Sequence, residues 1–439
     1  MKKNLFHEIL KYDKKILLYK KKSISLKQIK ILINKKAKKI KKFKKGIISI
    51  STQNKLDFII NFYACNKINY PVFLTDNKSK SKNLNESINI NYILKKNDLI
   101  KIHNKFQKNY SFNIVIKSSG SSSNAKYVHL KNESISHVCR EMNRQMNKNK
   151  IFNELIFAPL YHAFGFGRLH ALMTGHNNIT LTDFYSISNF YNLIIENRII
   201  NAVSIPSKIL SIVLKFKKKL ITKLFLKIKY FQVSTGYFEP KFRKKILEQN
   251  INLFLNYGMT EAIRTTFFHV NKYKNKLHTE GKPINGVKIK IIKENSEKYG
   301  LILVKGKNLA YGYNNRKEWN KKFLQGYFNT GDIGYLDKDN FLIFKSRLGN
   351  KINVNGKSYF TENIEELIKN YLKIEKLKII RNDDKFYLIS EKKINNNALY
   401  VLLRQKKINI TFDKILYSKI LFTETGKFKF TNIKRLING

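Results

Sequence analysis

Ile251-Asn252-Leu253-Phe254-Leu255, followed at once by Tyr257-Gly258-Met259-Thr260-Glu261-Ala262, is the stretch on which the fold turns. The first five residues have the length and apolar character of a buried strand, and a conformationally free glycine follows them. Upstream, Tyr230-Phe231-Gln232-Val233 reads as another strand leading into Ser234-Thr235-Gly236, and a helical pattern runs from Phe242 to Leu247. Strand, helix and strand in that order imply a βαβ unit. The same alternation appears nearer the N-terminus. Ile29, Leu32, Ile33, Ala37, Ile40 and Phe43 have helical spacing, Ile47-Ile48-Ser49-Ile50 is an apolar run, Leu56, Ile59, Ile60 and Tyr63 make a second helical pattern, and Val72-Phe73-Leu74 is another short run. No internal repeat is evident.

A chain of 439 residues, 43% hydrophobic, is too long for one ordinary core and calls for a large body with an appended module. Its two cysteines, Cys65 and Cys139, are too far apart for a metal-binding spacing and too few for a disulfide framework, which points to a reducing, cytoplasmic home. No window approaches the ~20 apolar residues of a membrane span. The charge is extreme, with 86 Lys and Arg against 30 Asp and Glu, formally +56. Phosphate backbones would be attracted to such a surface. Lysine, asparagine and isoleucine are nevertheless spread over the whole chain, as compositional drift would leave them, and no named nucleic-acid signature is present. Specific nucleic-acid binding is therefore not expected, and lysine-rich segments such as Lys215 to Lys219 read as solvated faces.

Val115-Ile116-Lys117 reads as a strand opening into Ser118-Ser119-Gly120-Ser121-Ser122-Ser123-Asn124-Ala125-Lys126. Small residues let backbone N–H groups approach a polyphosphate, hydroxyls add donors, and the closing lysine brings a positive charge. A Walker-type loop is excluded because the GK[ST] ending is missing. The loop resembles the phosphate-binding loop of the adenylate-forming superfamily, which includes acyl-CoA synthetases, coumarate-CoA ligases and luciferases. Further resemblances follow in order. Tyr257 to Glu261 looks like the YGxTE signature, and Gly281-Lys282-Pro283 with Gly286-Val287 looks like the GxP..GV turn. Thr330-Gly331-Asp332 resembles the TGD motif, Ser346-Arg347 and Val354-Asn355-Gly356 the hinge region, and Thr423 to Lys427 the C-terminal TxxGK.

The resemblance implies roles. Ser118, Ser121 and Lys126, with Ser119, Gly120 and Ser122 in the same loop, would cradle the ATP phosphates. Thr260 would contact the α-phosphate and Glu261 would help to hold magnesium. Tyr257, beside Gly258, would stack on adenine, Asp332 would accept from the ribose hydroxyls, and Arg347 would assist. Lys427 would bridge carboxylate and phosphate oxygens during adenylation, after which the small domain would rotate about Arg347-Leu348-Gly349 to admit a thiol. Gly356 would flank the pantetheine arm, His162 would line or gate the acyl pocket, and Gly236 would border the adenylate. Ser123 and Ala125 stand where the family's loop usually has Gly and Pro, and Gly349 where Asp or Lys is usual.

Ala158-Pro159-Leu160-Tyr161-His162-Ala163-Phe164-Gly165 lacks the aspartate with which amino-acid-activating members pair an α-ammonium, so a simple carboxylic acid is the expected substrate. The expected fold is α/β, with a large N-terminal domain, 1–347, holding the ATP and acyl sites, and a small mobile α+β domain, 348–439, carrying Lys427. The expected activity is ATP- and Mg2+-dependent adenylation of a carboxylic acid and acyl transfer to CoA. Two alternatives stand beside it. One transfers the acyl group to the phosphopantetheine of an acidic acyl carrier protein, which the basic surface would suit. The other is a basic nucleic-acid-binding protein on a degenerate ligase scaffold.

Overall fold

The computed structural model describes residues 4–420 apart from 14, 21, 52, 77–87, 96–97, 104–105, 108, 119–125, 147–149, 197–198, 294–297, 355–356 and 383–384. Among the described residues the strands fall into two large sheets and three smaller ones. The first large sheet runs in the order Lys282–Pro283, Thr266–His269, Asn252–Leu255, Tyr230–Ser234, Ala202–Pro206, Asn153–Ile156, Asn178–Leu181, Ile16–Tyr19, Lys22–Ser25. Its middle is parallel, with Phe231 opposite both Val203 and Leu253. The second is built around parallel pairs of Ile48–Ser51 with Val72–Thr75 and of Val72–Thr75 with Ile114–Lys117.

Strand periodicity decides which core each side chain joins. Leu155, Val203, Phe231 and Leu253 face one apolar cluster, while their neighbours Ile156, Ala202, Tyr230 and Phe254 face the other. The second cluster also takes Ile50, Leu74 and Ile116 from the other sheet, with Phe58, Phe62, Val138, Phe166 and Leu169 from the helices Lys55–Lys67, Asn132–Gln145 and Ala163–Met173. Those helices are thus sandwiched between the sheets. The third sheet pairs Tyr327–Leu336 with Gly300–Gly306 and with Leu342–Arg347. Beyond it, Ile352, Ile364, Ile368, Leu388, Leu399 and Leu403 build a separate core from the helices Thr361–Tyr371 and Asn396–Gln405 and the strands Leu377–Asn382 and Lys385–Ser390. A large α/β body with a smaller α+β unit is the expected fold class.

Most elements lie where the periodicity puts them. One helix needs correction. It spans Leu26–Ile40, capped by a reciprocal Ser25–Gln28 box, and buries Leu26, Ile29, Lys30, Ile33, Lys36, Ala37 and Ile40. Leu32 and Phe43, expected on its buried face, are each 41% exposed. Lys30 and Lys36 complete the stripe instead, laying their aliphatic stems along it, and Lys30 reaches Asp13 at 2.5 Å.

His129, in the strand Tyr127–Leu130, stacks on Phe112 with ring centroids 4.0 Å apart. Burial, with Arg316 nearby, pushes its pKa down to about 4, and burial does the same to His269. An unfolded histidine takes its proton near pH 6.5, so between roughly 6.5 and 4 the unfolded chain binds more protons than the folded one. Stability is therefore expected to be complete above pH ~6.5 and to fall as the pH drops toward 4. Urea titrations across that range, repeated on His129→Leu, check this. The variant should have a flatter acid limb, and an unchanged limb would remove His129 from the account.

Candidate functional site

In open parallel sheets, ligands gather beyond the carboxyl ends of the strands. That edge is where the motif residues collect. A cleft of about 80 Å3 is lined by Ser234 and Thr235 at the end of one strand, Asn256, Gly258 and Thr260 after the next, and His162 ahead of the helix Ala163–Met173. The backbone here is unusual. Thr235, a β-branched residue, stands at φ 71°, and Gly236 follows at φ 153°. Left-handed backbone at a β-branched side chain costs on the order of 1–3 kcal/mol and is characteristic of functional sites.

A polar ladder runs from this cleft into the core. Asn256 donates to Ser234 Oγ at 2.8 Å and accepts from Gln232 Nε2 at 2.5 Å. Ser204 Oγ lies 3.0 Å from Gln232 Oε1 and donates to Glu154. Glu154 is fully buried and holds the equally buried Arg168 through two parallel bonds, Nε–Oε1 at 2.6 Å and Nη2–Oε2 at 2.5 Å, with Tyr230 donating to the same carboxylate. This fork geometry is the strongest form of ion pair.

The TGD aspartate forms a second cluster. Asp332, 5% exposed, lies directly across the strands from Arg347, whose Nε is 3.4 Å from Oδ1. Tyr257 donates its hydroxyl to Asp332 Oδ2 at 2.7 Å and packs its ring against Phe344. Burial, reinforced by the Asp332 carboxylate, raises the Tyr257 pKa well above the usual phenol value, so the hydroxyl stays a donor. Thr330 Oγ1 accepts from the Asp332 N–H at 3.1 Å and donates to the Ile302 carbonyl, fixing the irregular strand at Gly331, which stands at φ 73°.

Glu261 is buried and accepts from Tyr313 at 3.0 Å. Tyr313 belongs to the strand Gly312–Tyr313, which pairs with the strand Tyr127–Leu130 just beyond the Ser-rich segment. Burial and the Glu261 carboxylate raise the Tyr313 pKa. Lys126 lies over the Tyr313 ring, 5.1 Å from its centroid, and forms an ion pair with Glu318. Ser118 N–H donates to the Lys126 carbonyl at 2.7 Å, clasping the two ends of the loop. Tyr313 thus brings the loop lysine and the motif glutamate into one cluster.

Of the sequence-derived candidates, His162, Gly258 and Thr260 meet at the cleft, Gly236 follows its wall, and Tyr257, Asp332 and Arg347 form one bonded group. Ser119, Gly120, Ser121, Ser122, Gly356 and Lys427 lie outside the described residues. A side-chain carbon on Gly349 would meet nothing within 4 Å, so no crowding demands a glycine there. Tyr313, Asn256 and the Glu154–Arg168 pair escaped the sequence reading, since none belongs to a motif.

Among the described residues no cluster of three candidate metal ligands exists, and no helix is long and apolar enough to cross a membrane. Magnesium does not need such a cluster. It is commonly held by one or two carboxylates and by substrate phosphates, and Glu261, the residue after the cleft-lining Thr260, fits that donor set.

Comparison with known proteins agrees with this geometry. The matched segment is 28% identical over 198 residues to a 2-succinylbenzoate–CoA ligase of Listeria monocytogenes, covering 43% of this chain and 41% of that one. The enzyme of the same description from Lactococcus lactis is 25% identical over 234 residues, 53% of this chain and 49% of the relative. The chain therefore matches less than half the length of these curated relatives. The o-succinylbenzoate CoA synthetase of Bacillus subtilis with its acyl-adenylate intermediate superposes with TM-score 0.79 at 18% identity, covering 97% of this chain and 96% of that one. The amide bond synthetase McbA from Marinactinospora thermotolerans superposes with TM-score 0.77 at 13% identity over 98% of this chain and 99% of that one. Such low identities speak to the fold. The family described as AMP-binding enzyme matches residues 95–314, half of the chain and the span from the Ser-rich loop through the YGMTE segment to Tyr313, and the protein belongs to that family.

Proposed function

We propose that the protein is an acid–thiol ligase, which adenylates a carboxylic acid with ATP and passes the acyl group to CoA. The observation that carries this reading is the bonded group Tyr257–Asp332–Arg347, whose Tyr257 stands between the cleft-lining Asn256 and Gly258, with Thr260 in the same cleft wall. In the first step a carboxylate oxygen bonds to the α-phosphorus, the bond to the bridging oxygen breaks, and pyrophosphate leaves. In the second, a thiolate takes the acyl carbon and AMP leaves.

Each residue has a task in this reading. Asp332 holds the ribose hydroxyls, Tyr257 supplies an adenine platform, and Thr260 donates to the α-phosphate. Glu261, held by Tyr313, would bind magnesium, which supplies charge neutralisation at the phosphates. Lys126 would exchange Glu318 for phosphate oxygens. Lys427 would approach from the smaller domain. The division into 1–347 and 348–439 is part of the proposal, supported by the separate apolar core that begins at Ile352.

The test is carboxylate-dependent exchange of labelled pyrophosphate into ATP, with Mg2+, over fatty, aryl and short-chain acids and 2-succinylbenzoate, the acid in the relatives' names. Exchange with one acid class is expected. Thioester formation with CoA, or with carrier phosphopantetheine instead, then identifies the acceptor. Folded protein that exchanges with no acid would favour the degenerate scaffold over an enzyme.

A further inference from the structure

A second cavity, of about 590 Å3, shares no lining residue with the cleft. It opens between the helix Asn132–Gln145 and the segment from Gly306 to Arg316, which Ser134 Oγ joins by donating to the Leu309 carbonyl at 2.9 Å. Four permanent cations line it, Lys131, Arg140, Lys307 and Arg316, against one carboxylate, Glu133. The nearby ion pairs, Arg140 with Glu8 and Lys126 with Glu318, leave Lys131, Lys307 and Arg316 without a carboxylate partner among the described residues. Two of those three are gathered on one side chain. Lys131 Nζ lies 4.7 Å from the centroid of the Tyr311 ring, and the Arg316 guanidinium carbon also lies 4.7 Å from it. Arg316 Nη1 donates to the Tyr311 carbonyl and occupies space that a side-chain carbon on Gly312 would fill. The guanidinium is therefore positioned before any ligand arrives.

Composition alone would put lysines around a surface hollow in so basic a chain, but a positioned arginine is a different matter, because arginine is scarce here beside lysine. Its planar fork matches phosphate oxygens, and a lysine beside it adds a second point of charge. Like charges held at one ring repel, and an anion bound by both removes that cost. The volume is in the range of small-molecule pockets and admits a ligand up to the size of a nucleotide. We infer that this cavity binds a phosphate-bearing small molecule with at least two negative charges, Arg316 and Lys131 taking the phosphate and Lys307 closing the rim. The site is separate from the cleft, and it stands whether or not the protein activates acids.

Calorimetric titration of the full chain at about 0.15 M salt, where charges more than about 8 Å apart are largely screened, tests this with inorganic pyrophosphate, fructose 1,6-bisphosphate and ADP. Whichever binds identifies the source of the phosphate. At least one is expected to bind with a Kd below ~1 mM, and Lys131→Gln combined with Arg316→Gln should weaken it roughly 10- to 100-fold. Lys219→Gln combined with Lys223→Gln, exposed on the helix Lys218–Lys227, removes the same charge outside the cavity and should leave the affinity close to native. Lys307→Gln, at an exposed residue, should weaken binding in the same direction by less, and it decides the matter if the first pair fails to fold. Three results would overturn the inference. They are no binding of any probe, an equal loss in the Lys219 and Lys223 pair, which would mean a diffuse field, and binding that Asp332→Ala abolishes while the cavity variants keep it, which would place the probe in the cleft.

Discussion

Replacing Asp332 with alanine is expected to weaken ATP binding by roughly 100- to 10,000-fold, the loss of two hydrogen bonds to a charged acceptor. Asp332 is buried, and its position is set by the strand irregularity that Thr330 clamps and by the strand pairing that brings Arg347 alongside. Its carboxylate also accepts from Tyr257, so the substitution removes the anchor of the proposed adenine platform together with the proposed ribose contact. Asp332→Asn keeps the shape and one carbonyl acceptor, and should lose less. Calorimetric titration with ATP, beside pyrophosphate exchange, measures both effects. ATP binding that survives Asp332→Ala intact would sink the ribose assignment. Lys427→Ala should behave differently, losing exchange while leaving ATP affinity close to native, because its proposed role belongs to the reaction step.

Glu154→Ala is expected to destabilise the fold by about 3–5 kcal/mol, the usual consequence of removing one partner from a buried ion pair. Glu154 and Arg168 are both fully buried, and the carboxylate is the acceptor for Ser204 and Tyr230 as well. Without it, Arg168 keeps its charge in a core that offers no other carboxylate contact among the described residues. The double substitution Glu154→Leu with Arg168→Met should cost less than the sum of the two single ones, since it leaves no charge unpaired. Urea denaturation of the three variants measures this coupling. Additive losses would mean that the pair is not a unit. Because the ladder through Ser204 and Gln232 ends at Asn256 in the cleft wall, the single variant should also weaken acid-dependent exchange at temperatures where it remains folded.

Much of the architecture was legible because it is local. Apolar runs of strand length, helices at 3.6-residue spacing and the turn residues between them lie in adjacent residues, and the short-range steric and solvation rules that produce them need no tertiary information. The motif positions were legible for a related reason. A polyphosphate demands small residues, hydroxyls and a lysine close together in sequence, and the resemblance to adenylate-forming enzymes picks out Thr260-Glu261 and Gly331-Asp332 from short contiguous motifs. The helix Leu26–Ile40 marks where that reasoning fails. Lysine is so frequent that Lys30 and Lys36 read as solvent-facing, although their stems occupy the buried stripe and Leu32 is turned outward.

The polar interior was not legible at all. Glu154, Arg168, Ser204, Tyr230 and Gln232 come from three different strands and a helix, and only the order of the nine-stranded sheet brings them into contact. Tyr313 reaches Glu261 across 52 positions because Gly312–Tyr313 pairs with the strand beyond the Ser-rich loop. Arg264 looked like one more base in a chain with 86. Its burial beneath the helix Ala163–Met173, with Nε and Nη1 left without a hydrogen-bond partner among the described residues, is a matter of tertiary packing. Sequence by itself pointed to the α/β class through short-range patterns and, through the resemblance to adenylate-forming enzymes, nominated the phosphate, magnesium and ribose candidates. Tertiary structure alone decided which charges are buried and which are paired, because desolvation and ion pairing depend on distances between residues far apart in the chain.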